Sequence, residues 1–259
     1  MPGIAVVHLV RRQNGLAPLQ RFLDSYRRHE AGAEHELILL YKGFGKELPA
    51  EYAQAIVGIS HQRMLFPDRG FDLQPYFAAV ARFGHRYFCF LNSFSRILAP
   101  GWLAMLRAPL ASRTVGLVGA TGSCESLAAL PVPKRWITQR YFPPFPNHHV
   151  RTNAFMAARE VLERVTLRPM LFKFFALACE SGKDGLTAQV GRLGLEALVV
   201  DRRGAVFARD QWHLSNTFRQ SLQEDLLVSD NQTDAYASAD TNGRARLSRL
   251  AWGEWARPA

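Results

Sequence analysis

The sequence predicts an α/β protein: a doubly wound, mostly parallel sheet flanked by helices, followed by a helical C-terminal extension. Three observations carry that prediction. Short apolar runs without alternation recur at residues 4–10, 36–41, 87–91, 115–120 and 195–200, the pattern of strands covered on both faces. Between them lie stretches with apolar residues at helical spacing. Most of these runs end in polar or glycine-containing residues, where open α/β sheets place their ligand crevice. Residues 1–213 are expected to form this domain, and 214–259 the extension packed on it.

In order, the strand at 4–10 ends in Arg11, Arg12, Gln13, Asn14 and Gly15, a basic turn leading into a helix over 16–29 that buries Leu19, Phe22, Leu23 and Tyr26. The strand at 36–41 ends in Lys42 and Gly43, and residues 55–59 read as a weaker third strand. The segment 68–72 precedes a helix whose stripe is Leu73, Phe77, Val80 and Ala81 and which Gly84 ends. Asp72 reads either as its cap or as a ligand to a bound group. The aromatic run 87–91 delivers Asn92, Ser93, Phe94 and Ser95 at its tip, with Pro100 and Trp102 restarting a helix. Asn92 suits a donor contact or a local turn equally. Residues 130–147, broken by prolines and aromatics, are expected to pass over the sheet edge as an irregular excursion. A strand over 151–156, helices over 159–165, 170–179 and 186–193 and the strand at 195–200 complete the domain. At the end of the chain Leu247, Leu250, Ala251 and Trp255 share one face.

The composition, 48% hydrophobic and 21% charged, excludes disorder as the default. No apolar run approaches the roughly 20 residues that span a bilayer. The first residues carry neither a basic stretch nor a small-residue cleavage site, so a cytoplasmic protein is expected. Thirty-two basic against 22 acidic side chains give a net charge of +10, which favours anionic partners. The arginines are dispersed and no nucleic-acid-binding signature is present, so nucleic acid is not the expected partner. Cys89, Cys124 and Cys179 lack metal-ligand spacing and read as reduced thiols. His148 and His149 have no ligand partners at metal spacing, and no metal site is predicted.

Several stretches, taken in order over roughly 4–212, resemble a nucleotide-sugar glycosyltransferase of the GT-A fold, family-2 type, and are also similar to rhamnan-synthesis proteins. They are the first strand with Asn14 before a Leu-rich helix; Asp68-Arg69-Gly70-Phe71 leading through a helix to Phe90-Leu91-Asn92-Ser93; Asn153-Ala154-Phe155-Met156 entering a helix; and Lys183-Asp184 with Leu186 and Gly194. The resemblance implies transfer of a sugar from a UDP-, GDP- or dTDP-sugar to a hydroxyl of a glycan or lipid-linked acceptor in cell-surface or exopolysaccharide synthesis. It implies an enzyme in the cytoplasm, with the inner face of the membrane and peripheral association left open as its place of work. In the family, two aspartates at the fourth strand's tip hold a divalent cation on the donor diphosphate; here that tip has no carboxylate, and the anionic oxygen ligands are lost. Arginine and lysine could neutralise the diphosphate instead. Donor contacts are therefore expected from Arg11, Arg12, Asn14, Lys42, Asp72, Asn92, Ser93 and Ser95, and substrate contacts from Asn153, Trp212 and His213, of which His213 suits either the diphosphate or simple packing. Inverting transfer needs one carboxylate as base, and Asp184 is the first candidate, Glu180 the second. Asp184 also fits an S-x-x-D cap three residues after Ser181. Loss of catalysis, leaving a GT-A-like binding module for glycan or protein, is the alternative reading. Asn14, Lys42, Asn92 and Asp184 are expected to meet on one rim.

Overall fold

The computed structural model describes residues 3–129, 134–170 and 172–259. Its strands are β1 Ile4–Arg11, β2 Glu36–Lys42, β3 Gln62–Phe66, β4 Tyr87–Leu91, β5 Arg96–Ile97, β6 Val115–Gly119, β7 Gly122–Ser123, β8 His149–Val150, β9 Ala154–Ala158, β10 Glu196–Val200, β11 Val206–Phe207 and β12 Val228–Ser229. Its helices are α1 Ala17–Arg28, α2 Ala50–Ala55, α3 Leu73–Arg82, α4 Trp102–Arg107, α5 Lys134–Tyr141, α6 Arg159–Leu162, α7 Lys173–Ser181, α8 Leu186–Arg192, α9 Asn231–Ala237 and α10 Thr241–Trp252.

Eight strands form one sheet in the order β11-β10-β6-β9-β4-β1-β2-β3. β1 pairs in parallel with both β2 and β4, so that His8 lies between Leu39 and Leu91. β9 enters the middle of the sheet antiparallel to both β4 and β6, and the edge strand β11 is antiparallel to β10. Alternation along β1 sends Ala5, Val7 and Leu9 into a core shared with α3, α6, α8 and Trp252. Ile4, Val6 and Val10 go into a second core, shared with α1, α2 and α4. Two covered faces explain why these strands read as continuous apolar runs.

The sequence reading needs correction in several places. The third strand is Gln62–Phe66, whereas residues 50–55 form α2 and nothing in 55–59 joins the sheet. In α3 the buried positions are Leu73, Pro75, Tyr76, Ala79 and Val80, so Tyr76 takes the inward place expected of Phe77. The helix after β9 is four residues long, because the chain leaves it after Leu162. In α10, Ser248, Ala251 and Trp252 face inward, while Leu250 and, in the turn beyond the helix, Trp255 remain exposed. Of the expected excursion over 130–147, residues 130–133 lie outside the described residues; α5 and β8 occupy much of the remainder.

The last part of the chain is woven into the domain. β12 pairs with β5 beside the β4 tip. The Trp252 indole donates to the Phe218 carbonyl at 2.6 Å, and the Cys124 amide donates to the Ala251 carbonyl at 2.9 Å.

Candidate functional site

Strand parity assembles the first half of the site. Arg11 follows Val7 and Leu9 on β1, and Lys42 follows Ile38 and Leu40 on β2, so both side chains emerge on the face that carries α3. There Lys42, almost fully buried, donates from Nζ to the Gly70 carbonyl at 2.6 Å and lies 6.0 Å from the Phe71 ring centre. Gly70, at φ 65°, has the left-handed backbone this turn requires, and a Cβ there would meet Gln74. Arg11 and Gln13 hold Asp68, Arg11 at 3.7 Å and the Gln13 amide at 2.6 Å. Asp72 begins α3, yet its carboxylate makes no capping bond. Its charge instead interacts with Lys42, Glu180 and Arg11. Burial pushes the Asp72 carboxyl above the usual carboxylate range, with Lys42 opposing and Glu180 reinforcing the shift. Burial likewise lowers the Lys42 ammonium, with Arg11 adding to the shift and Asp72 and Asp68 resisting it.

Helix α7 supplies the second half. Glu180 accepts from the Thr152 amide at 2.9 Å and lines two small cavities. One, of about 130 Å³, lies between Asp72, Thr152, Lys173 and Glu180. The other, also about 130 Å³, is lined by Glu125, His149, Arg151, Glu180 and Arg219. In the second cavity Arg219 pairs with Glu125 at 3.1 Å. His149 is held neutral by burial, against the pull of Glu180 and Glu125. Glu180 thus stands where the two cavities adjoin.

The β4 tip is arranged differently. The Asn92 side-chain oxygen accepts from the Phe94 amide at 3.0 Å and the Ser95 hydroxyl at 3.1 Å, closing a local turn. Ser93 and Ser95 are buried, and the Ser95 hydroxyl also lies 3.0 Å from the Asn153 carbonyl. Asn153 accepts from Thr121 at 2.6 Å; Thr121 in turn accepts from Arg151 at 3.3 Å, and Arg151 pairs with Asp230 at 2.7 Å beneath the C-terminal segment. These neutral, already engaged oxygens do not suit a hard divalent cation, which takes charged or freely available oxygen ligands. Among the described residues no group of three or more His, Cys, Asp or Glu side chains could hold a metal ion.

The expected rim of Asn14, Lys42, Asn92 and Asp184 does not form: of these Lys42 faces the crevice, and its neighbours there are Arg11, Asp72 and Glu180. Asn14 is half-buried and Arg12 exposed in the turn after β1. Asn92, Ser93, Ser95 and Asn153 belong to the turn and network just described. Asp184 is elsewhere: its carboxylate is held by Arg168 at 2.5 Å and Arg192 at 3.3 Å and lines a different cavity. It caps nothing, since the N-cap of α8 is Gly185. Trp212 is a core side chain, wholly buried, with its indole donating to the Phe207 carbonyl at 3.1 Å. His213 stacks on Trp255 at 5.1 Å. Sequence reasoning gave Glu125, Arg151 and Arg219 no part in the site and weighed His149 only as a metal ligand. Arg151 stands in the polar stretch between Val150 and Ala154 and carries no local mark that it is buried.

No family model matches the chain, and no curated protein matches its sequence. Solved structures match in shape. A mannosyltransferase from Pyrobaculum calidifontis, PcManGT, in complex with GDP-Man and Mn2+, aligns with a TM-score of 0.53 at 14% identity, over 83% of this chain and 60% of that one. Glucosyl-3-phosphoglycerate synthase from Mycobacterium tuberculosis, in complex with Mn2+, UDP and phosphoglyceric acid, gives 0.47 at 18% identity, over 74% and 66%. The chain therefore spans about three fifths to two thirds of these neighbours' length. The mixed, mostly parallel eight-stranded sheet with its flanking helices and helical C-terminal part is a GT-A-type fold.

Proposed function

We propose that the protein is a family-2-type glycosyltransferase that moves a sugar from a nucleotide-sugar donor to an acceptor hydroxyl, in assembly of a surface or exported glycan. One observation carries the reading: cations from the ends of β1 and β2 share one crevice with the carboxylates of Asp72 and Glu180, where an α/β sheet binds its ligand. The donor diphosphate lies against Arg11 and Arg12, whose guanidinium forks match phosphate oxygens. Lys42 fixes the turn that presents Asp72. Glu180, oriented by the Thr152 amide, takes the proton of the acceptor hydroxyl. The acceptor oxygen then forms its bond to the anomeric carbon as the bond from that carbon to the diphosphate oxygen breaks. The nucleoside diphosphate leaves with the electron pair, and the arginines stabilise its growing charge. Single displacement of this kind inverts the anomeric centre.

The test pairs a panel of UDP-, GDP- and dTDP-sugars, read by calorimetry, with turnover in E180Q. One donor is expected to bind saturably, and E180Q to lose about 10²–10⁴-fold in kcat while binding that donor unchanged. If no donor binds, the transferase reading fails. A second reading, a binding module without turnover, is favoured by the engaged, carboxylate-free β4 tip; donor binding with no turnover in the parent protein would support it.

A further inference from the structure

Helix α7 has a second working face. Leu177 and Glu180 look into the crevice, whereas Ala178 and Cys179 line a separate cavity of about 190 Å³. Its charged lining consists of Arg140 from α5, Arg168, Lys183 and Asp184. Arg192 reaches the same carboxylate from α8 and donates to the Lys183 carbonyl at 2.8 Å. Four cations against one carboxylate leave three positive charges around this hollow. The Lys183 ammonium is anchored to the Gln139 carbonyl at 2.8 Å, so it cannot swing away without losing a bond. Arg140 makes no hydrogen bond or ion pair among the described residues. Asp184 satisfies only part of the donor set that Arg168 and Arg192 present.

We propose that this cavity binds a phosphoryl group, as a phosphomonoester or diphosphate borne by a small molecule or a lipid headgroup. Arginine forks and a fixed ammonium recognise tetrahedral phosphate oxygens by charge-assisted hydrogen bonds. Asp184 is then a resident counter-ion, bridging the two arginines until the phosphate takes its place. The site lies on the opposite side of α7 from Glu180 and does not depend on the transferase reading.

Calorimetry on the full chain with glycerol 3-phosphate, and sedimentation with phosphatidylcholine vesicles containing phosphatidic acid, separate the two sources. Binding to either probe is expected to weaken about tenfold in R140Q, an exposed and unpaired position where folding is not at stake. Binding is expected to strengthen several-fold in D184N, which removes the competing carboxylate, and to fall with added salt. R21Q, an exposed arginine on α1, is the control for general surface charge and is expected to change nothing. Absence of binding to both probes, or equal losses in R140Q and R21Q, would overturn the proposal. Failure here leaves donor binding at Arg11 and Arg12 untouched, and donor binding can fail without affecting this site.

Discussion

His8 lies in the middle of β1 with its ring stacked on Phe22, 3.6 Å between centres and 8° between planes. It is wholly buried, and neither ring nitrogen has a partner among the described residues. Burial lowers its pKa from 6.5 to about 3, and that of His148 to about 4, where burial is joined by the nearby Arg209. Both are therefore neutral in the folded protein near pH 7. Their folded pKa values lie below the unfolded ones, so the unfolded chain binds more protons as the pH falls. The contribution of each is fully present above about 6.5 and is lost toward about 4 for His148 and about 3 for His8. Urea unfolding at a series of pH values is expected to show stability falling below pH 6.5, by up to about 1.4 kcal/mol per pH unit for each group. H8F, which keeps a stacked ring and removes the titration, is expected to flatten that fall; an unchanged slope would mean that His8 is not held neutral by burial.

At the scale of elements, a buried ion pair joins the turn between β8 and β9 to the start of α9. Arg151 meets Asp230 at 2.7 Å, its guanidinium lies 3.9 Å from the Phe218 ring centre, and Asp230 also caps α9 by accepting from the Gln232 and Thr233 amides. D230A leaves a buried guanidinium uncompensated and a helix uncapped, and is expected to cost about 3–5 kcal/mol in chemical denaturation. A loss below about 1 kcal/mol would place this pair in the class of solvated surface bridges instead. The same region shows what a sequence makes legible. β1, β2, β4, β6 and β10 were readable because strands buried on both faces must be apolar throughout. β3 was not, since an edge strand reading Gln-Arg-Met-Leu-Phe is partly solvated and buries only Met64. The inward turn of Tyr76 in place of Phe77 depends on how α3 rolls against Phe90 and Phe155, which spacing alone does not fix. Arg11, Lys42, Asp72 and Glu180 could each be named as candidates because each follows a strand end or begins or ends a helix, but their meeting was not legible, since the expected rim set Asn14, Asn92 and Asp184 beside Lys42. Nor was the surface pairing of Asp184, because Arg168 and Arg192 carry no local mark that they converge on it.

In the molecule as a whole, the part after residue 213 closes over the network behind the β4 tip, through β12, Phe218 and the Arg151–Asp230 pair. A chain cut after His213 would expose Trp212, lose the Trp252 side chain from the main core and leave Arg151 unpaired. It is expected to lose cooperative thermal unfolding and to aggregate, which calorimetry and light scattering would show; a soluble, cooperatively melting fragment would instead make 214–259 a separable appendage. The excess of cations over the whole chain and the arginines beside the crevice are consistent with an anionic ligand, and no helix among the described residues is long and apolar enough to cross a membrane. The most direct test is a crystal of the full chain soaked with the nucleoside diphosphate of the donor. Its phosphates are expected against Arg11 and Arg12, with the vacated sugar position opening toward Glu180. Density for the nucleotide on another face of the sheet, with the crevice between Asp72 and Glu180 untouched, would contradict the account.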